Sequence, residues 1–330
     1  MPPTVADLIE RAIAGERGAL ARAISILEAG AAPAEARTLP ARRREGPALA
    51  RASGVGRAST DAESRPTADS HSAPHVIGIT GPPGAGKSTF TDRLVAAARA
   101  RGERVAVVAV DPSSPWSGGA ILGDRVRMDR HAEDPGVYLR SLSSRGHLGG
   151  LSRATGHVVD LLDACGYDRI LVETVGVGQG ELAVLQVADT VLVVLTPESG
   201  DTVQAMKAGL LEIADVFCVN KADRPGADLL RRELELGVHL DDRPWSAPVH
   251  TSVALQDVGI AEVLVSLEAH RDWNAGAGRA AWDSRRADGR VAGWLDLVAE
   301  RARKEAWARL RGTPDLVALR AGTLQPEDLV

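Results

Sequence analysis

The sequence predicts an α/β fold, a mostly parallel central sheet covered by helices on both faces, with helical extensions at both ends of the chain. Three observations lead there. Short apolar runs recur at 76–80, 105–110, 137–142, 169–173, 190–196, 215–219 and 248–252. Helical patterns alternate with them. The turns that carry unusual residues each follow the end of a run. Continuous Val/Ile/Leu runs between helices mark strands buried on both faces, the pattern of a parallel sheet under helices. Ligands on such sheets bind beyond the carboxyl ends of the strands.

Taken in order, residues 4–30 carry helical periodicity. Val5, Leu8, Ile9, Ala12 and Ile13 form one stripe, and Leu20, Ala23, Ile24 and Leu27 a second. The spacing predicts two short amphipathic helices within an N-terminal extension over 1–37. Residues 31–74 are rich in Ala, Arg, Ser and Pro and lack an apolar period. Such a stretch buries too little apolar surface to offset its ordering entropy, so a mobile linker is expected over 38–74. His71 and His75, at its end, are expected in solvent. The strand and helix alternation fills 75–270 and defines the main domain. Residues 271–330 form a C-terminal helical extension. Within it, 285–310 predicts an Arg-rich helix with Val291, Trp294, Leu295, Val298, Ala302 and Trp307 along one side. That stripe suits packing back on the domain or dimerisation.

Composition excludes several classes. A formal net charge of −5 over 330 residues argues against a nucleic-acid binder held by general electrostatics. The two cysteines, Cys165 and Cys218, lie in or beside apolar stretches with no C-x-x-C. Neither a disulfide scaffold nor a thiolate metal site is expected, and a reducing cytoplasm fits. The longest apolar runs fall short of the ~20 residues a membrane helix needs, and the N-terminus lacks signal-peptide features. Nucleic acid and membrane are therefore not expected partners. Positive charge is almost all Arg; the lysines are Lys87, Lys207, Lys221 and Lys304. Two of these stand in the motifs described next, where a planar guanidinium cannot replace a compact ammonium.

Gly81-Pro82-Pro83-Gly84-Ala85-Gly86-Lys87-Ser88 matches G-x-x-x-x-G-K-[ST]. It follows the run 76–80 and precedes a helical pattern at Phe90, Leu94, Val95 and Ala98. Strand, glycine loop and helix turn backbone N–H groups inward to cradle phosphates. The predicted phosphate site is Gly81 to Thr89. Lys87 is expected to reach the β- and γ-phosphates, and to face solvent while the site is empty; the Ser88 hydroxyl would ligate Mg²⁺. Downstream, Asn220-Lys221-Ala222-Asp223 follows the run 216–219. Asp223 can accept hydrogen bonds from both N1–H and the 2-amino group of guanine, a donor pair adenine lacks. Asn220 would fix the loop and reach the base edge, and Lys221 would lay its stem over the ring. GTP and GDP are the predicted ligands.

Two further segments complete the diagnosis. Asp111-Pro-Ser-Ser-Pro-Trp-Ser-Gly-Gly-Ala-Ile-Leu-Gly-Asp124-Arg-Val-Arg-Met128 follows the second strand, and Glu173-Thr-Val-Gly176-Val-Gly-Gln179 follows the fourth. Small GTPases generally have Asp-x-x-Gly at the second place; here it is Glu-x-x-Gly. With these motifs, with Ser143-Ser-Arg-Gly-His-Leu-Gly-Gly150 and with Leu210-Leu-Glu-Ile-Ala-Asp215, the chain resembles the methylmalonyl-CoA mutase-associated GTPases. This is the MeaB/ArgK group of the SIMIBI class of P-loop GTPases. The likeness covers 75–270 closely and the N-terminal helices loosely. It implies that Ser88, Asp111, Asp124 and Glu173 lie around Mg²⁺, with Lys87, Asp124 and Glu173 as the catalytic candidates. It also implies that the Gly176 N–H senses the γ-phosphate, that 112–150 and 176–182 are switches, and that Ser252, Val253 and Ala254 cap guanine O6. Segment 197–209 resembles the family's additional switch, in which Asp201 and Lys207 would couple nucleotide state to a partner. Asp257 stands where the family usually has Gly, and the C-terminal region departs from the family pattern. No arginine finger or positioned catalytic Gln is assigned, so slow intrinsic hydrolysis is expected.

The resemblance implies a Mg²⁺-dependent GTPase, converting GTP and water to GDP and phosphate. It would act as a homodimeric chaperone for an adenosylcobalamin-dependent acyl-CoA mutase, through gated cofactor loading and protection or reactivation. Which acyl-CoA mutase is the client stays open. The alternatives are a nickel or cobalt metallochaperone GTPase of the same class, a transport-type kinase or ATPase, and a module that binds GTP and rarely cleaves it. Metallochaperones usually carry His-rich tails or paired Cys ligands, whereas here eight His are dispersed. A kinase would need an acceptor-side base and leaves Asn220–Asp223 unexplained.

Overall fold

A computed structural model describes residues 3–28, 73–111, 130–131, 133–143, 154–174, 187–199, 212–240 and 243–321. Most of the predicted linker, 38–72, lies outside them, as does His71. Seven strands form one sheet: β1 (His75–Thr80), β2 (Val105–Asp111), β3 (Val137–Ser143), β4 (Arg169–Thr174), β5 (Thr190–Leu195), β6 (Val216–Val219) and β7 (Val249–Thr251). Each apolar run is a strand to within two residues at either end. The order is β3-β2-β4-β1-β5-β6-β7, and every pairing is parallel. From β1 the chain runs outward to β2 and β3. After β4 it crosses to the other side of β1, and that reversal opens a crevice beyond the carboxyl end of β1.

The helices are α1 (Val5–Ile13), α2 (Arg17–Glu28), α3 (Lys87–Ala100), α4 (Ala154–Ala164), α5 (Ala227–His239), α6 (Ile260–Ala275), α7 (Arg279–Leu310) and α8 (Pro314–Ala321). Strand alternation sends successive side chains to opposite layers. Ile77, Ile79, Leu192, Val194, Val216 and Cys218 face α3 and α6, packing on Phe90, Leu94, Val263 and Leu267. Val76, Val108, Ile170 and Val172 face the other way, toward α1, α2 and α4. On that same side Val191, Val193, Phe217 and Val219 pack on α5 through Leu230 and Leu234. Full burial of each such side chain is worth about 1.5–3 kcal/mol. The N-terminal helices are thus part of the main core: Leu8, Ile9, Leu20, Ile24 and Leu27 pack with Val158 and Leu162 of α4. Thr4 caps α1 by accepting from the Asp7 N–H at 3.2 Å. Arg17 donates to the Val137 carbonyl at 2.7 Å, tying α2 to β3.

His75 corrects the solvent reading. It opens β1, is 1% exposed, and its Nε2 lies 2.8 Å from Thr190 Oγ1. The polar composition of 31–74 runs up to this residue in sequence, but β1 pairs with β4 from His75 onward.

The chain forms two compact units, 1–286 and 287–330. Helix α7 begins at Arg279, six residues before the predicted start, and runs 32 residues. Val291, Leu295, Val298 and Trp307 are exposed on it, and the Trp294 side chain lies outside the described residues.

Candidate nucleotide site

The crevice at the carboxyl end of β1 is built from the glycine loop. Gly81 has φ +139°, and a Cβ there would stand 2.0 Å from the Val194 carbonyl oxygen of β5. Only glycine lets the loop leave the sheet this closely. Gly86 has φ +84° and precedes α3, where a Cβ would meet Asn220 Nδ2 at 2.6 Å. The first turn of α3 then presents N–H groups that lack intrahelical partners, a ready anion cradle.

Lys87 does not face solvent. It is 7% exposed, and its Nζ donates to the carbonyls of Gly81 at 2.8 Å and Pro82 at 3.0 Å. The expectation of an exposed lysine fails because the loop curls over its own first helical residue. The ammonium is held by the carbonyls of the very loop that would cradle the phosphates. Ser88 and Glu173 meet beside it: Ser88 Oγ donates to Glu173 Oε1 at 2.6 Å, and both residues are buried. Glu173 reaches this point from the end of β4, next to β1. Thr174 follows and donates to Thr80 Oγ1 at 3.0 Å, joining the two strand ends.

The base end is assembled around Asn220. Its backbone N–H donates to the Leu195 carbonyl at 2.8 Å, and its Nδ2 donates to the Ala85 carbonyl at 2.9 Å. Its Oδ1 accepts from Ser252 Oγ and from the Ala254 N–H, both at 3.1 Å. One buried amide therefore ties the phosphate loop, the strand end and the 252–254 loop together. The sequence reading gave Asn220 two roles; its amide oxygen and one amide N–H already serve loop fixing. Lys221 takes a left-handed conformation, φ 56°, which swings the chain so that Asp223 lies exposed at the lip. Ser252 is fully buried and also accepts from Cys218 Sγ at 3.1 Å. Burial pushes the Cys218 thiol up to about 12, so it stays a protonated donor.

The loop after β7 is short and closed. Val253 and Val258 pair across it, and Ala254–Gln256 make a 3₁₀ turn. Asp257 occupies the left-handed region, φ 60°, a conformation Asp tolerates better than most residues. Arg93 of α3 donates to Asp257 Oδ2 at 3.1 Å and to the Leu255 carbonyl at 3.3 Å. A second tether thus joins the phosphate helix to the base loop.

Gly81–Thr89, Glu173, Asn220–Asp223 and Ser252–Ala254 all lie at the carboxyl end of one sheet. The backbone of Asp111 ends β2 at that same edge; its side chain is not among the described residues. Asp124, Gly176, Asp201 and Lys207 lie outside the described residues. Asp92, Arg93 and Thr174 were missed by sequence reasoning. A carboxylate at position 92, between Thr91 and Leu94 on a buried stretch of α3, was the available signal.

A family model described as methylmalonyl Co-A mutase-associated GTPase MeaB matches residues 63–310. The chain belongs to this family. A probable GTPase of Mycobacterium tuberculosis is 40% identical over 311 residues, 92% of this chain and 85% of that protein. A putative GTPase of Pyrococcus horikoshii is 50% identical over 212 residues, 63% of this chain and 67% of that protein. Among solved structures, one of an LAO/AO transport system kinase superposes with a TM-score of 0.66 at 24% identity, covering 99% of this chain and 95% of that one. That likeness establishes the α/β fold. The chain is a GTPase of a family linked to methylmalonyl-CoA mutase. Among the described residues, no helix is long and apolar enough to cross a membrane.

Proposed function

We propose that this GTPase acts as a G-protein chaperone for an adenosylcobalamin-dependent acyl-CoA mutase, gating cofactor loading and protecting or reactivating its client. The supporting observation is the family match over 63–310, with a family description that names the mutase. A homodimer in the cytoplasm belongs to the same reading, with 271–330 as the dimerisation arm of a chain organised as 1–37, 38–74 and 75–270 before it.

The residue roles follow the site's chemistry. Asp223, with Asn220 and Lys221, selects guanine, and the loop Ser252–Ala254 closes over O6. Lys87 exchanges its two loop carbonyls for phosphate oxygens, a swap that keeps the ammonium in place while charge develops on the γ-phosphoryl group. Ser88 and Glu173 present a hydroxyl and a carboxylate 2.6 Å apart, a hard oxygen pair that fits Mg²⁺; with Asp111 and Asp124 they would hold it. Bound Mg²⁺ supplies charge neutralisation on the β- and γ-phosphates. The Gly176 N–H reads the γ-phosphate, and Asp201 and Lys207 pass that state to the mutase.

Paired turnover measurements test the coupling. A client mutase should accelerate GTP hydrolysis by the parent. Lys207→Ala should keep the intrinsic rate and lose the acceleration, since the coupling and not the site is removed. A parent that no acyl-CoA mutase accelerates would sink the chaperone reading.

A further inference from the structure

Strands β5 and β6 run parallel and in register to their ends, with Leu195 beside Val219. The turns that follow them therefore face each other at the carboxyl edge of the sheet. The first holds Glu198; the second holds Asp223, Arg224 and Gly226. Gly226 lies against Pro197: a Cβ there would stand 3.6 Å from the proline Cβ. Across this contact Arg224 Nη1 donates to Glu198 Oε1, and both side chains are half-exposed. Among the described residues, the ion pair of Arg224 is with Glu198 and not with its neighbour Asp223. The Arg224 guanidinium is held above the ordinary arginine range first by the hydrogen bond to Glu198, then by that carboxylate's charge, with the Asp223 charge contributing less.

We infer that Glu198 is a positioning residue for guanine recognition: it holds Arg224 off Asp223 and leaves that carboxylate open to the base. The chemistry of the base gives the reason. The edge of guanine that Asp223 reads, N1–H and the 2-amino group borne by the same carbon, is itself a guanidine fragment. A free arginine fork presents the same two parallel donors to the same two carboxylate oxygens. Asp223 and Arg224 are adjacent, with Cα atoms about 3.8 Å apart, so an unpaired Arg224 competes for Asp223 at a high local concentration. Glu198 offers the fork an alternative carboxylate on the facing turn. The inference rests on the proposal above that Asp223 selects guanine.

The test reads GDP affinity of the full chain by fluorescent-nucleotide titration, in about 0.01 M salt, where charges act over about 30 Å, and in about 1 M, where they act over about 3 Å. Glu198→Gln should weaken GDP binding about threefold at low salt, the scale of one exposed ion pair. That loss should shrink at high salt. Arg224→Gln removes the competitor and should bind GDP at least as tightly as the parent. Adding Glu198→Gln to it should cause no further loss, so the double variant regains what Glu198→Gln lost. On an Asp223→Asn background, Glu198→Gln should likewise have no effect, since an amide offers the arginine no charge. A role in merely shaping the turn would give a salt-independent loss that persists in the double variant, and that result would overturn the inference. So would unchanged affinity in Glu198→Gln at low salt, or a weaker Arg224→Gln. If the parent binds GTP and ATP equally, the guanine reading fails first, and the parent's own titration tells the two failures apart.

Discussion

The two ends of the sheet use the same polar residue types to opposite ends. At the amino end, polar groups are buried and cross-linked. Thr190 Oγ1 lies 2.8 Å from His75 Nε2 and 2.9 Å from His270 Nδ1. His270 Nε2 lies 3.4 Å from Asp215 Oδ1, and Arg285 donates to both Asp215 oxygens at 2.8 and 2.9 Å. Trp245 packs edge-on against the His270 ring and Trp273 stacks on it. Arg169, 3% exposed at the start of β4, is gripped by Glu103 and Glu268. At the carboxyl end the groups sit in glycine turns and left-handed loops, Lys87 is held by carbonyls that a phosphate can replace, and Asp223 is exposed. The amino end pairs its charged and polar groups with one another; at the carboxyl end Lys87 and Asn220 are bonded largely to loop backbone and Asp223 is exposed.

The largest effect expected from breaking this contrast is Asp215→Ala. It strands Arg285 and His270 around a hole, and removing one member of a buried pair costs about 3–5 kcal/mol. Urea unfolding should show that loss, while guanine-nucleotide affinity of the folded fraction changes less than about threefold. A large affinity loss would mean the two ends are not separable.

Lys87→Ala probes the other end. Turnover should fall by about 10²–10³, as for loss of one preorganised donor to developing charge. Far-ultraviolet circular dichroism should be unchanged. Unfolding instead would show that its bonds to the Gly81 and Pro82 carbonyls are structural above all.

Acid should act mainly through the amino end. Burial holds His75 well below the ordinary histidine range, and burial lowers His270 too, against the opposing pull of Asp215. Both stay neutral in the fold while the unfolded chain takes up protons below about pH 6.5. Their contribution is therefore present above that pH and lost as pH falls. Each histidine therefore makes stability fall as pH falls between its unfolded and folded values. Asp215, held below the usual carboxylate range against desolvation by His270 once that ring is protonated and by the Arg285 guanidinium, adds a loss at still lower pH. A His75→Gln variant should flatten the pH 5–6.5 portion of a stability profile.

The smallest effect is Asp223→Asn, about 10-fold in GTP affinity from about 1–3 kcal/mol, with stability unchanged because the residue is exposed. Fluorescent-nucleotide titration against guanine and xanthine forms checks it; equal affinity of the parent for GTP and ATP would remove the guanine assignment.

The carboxyl end was legible in the sequence because its chemistry is local. Gly81–Ser88 and Asn220–Asp223 are contiguous, and their meaning depends only on following a strand. The amino end was not. His75 sat beside a polar stretch and was read as solvent-exposed, since its partner Thr190 is 115 positions away. Arg285 was one of many arginines in a charged helix, and only the fold sets it against Asp215, 70 positions earlier. The ion pair between Asp92 and Arg130 was likewise invisible, its partners 38 positions apart.

The sequence by itself determined the strands, the phosphate loop, the guanine motif and the family, because apolar period and contiguous motifs are properties of neighbouring residues. Tertiary structure decided the rest: the strand order that sets Glu173 beside Ser88, the buried amide of Asn220 that joins three loops, and the burial of Lys87. It also decided that α1 and α2 belong to the main core. Each of these depends on which distant segments the sheet brings together, and a side chain's partner is fixed only when packing has excluded every other.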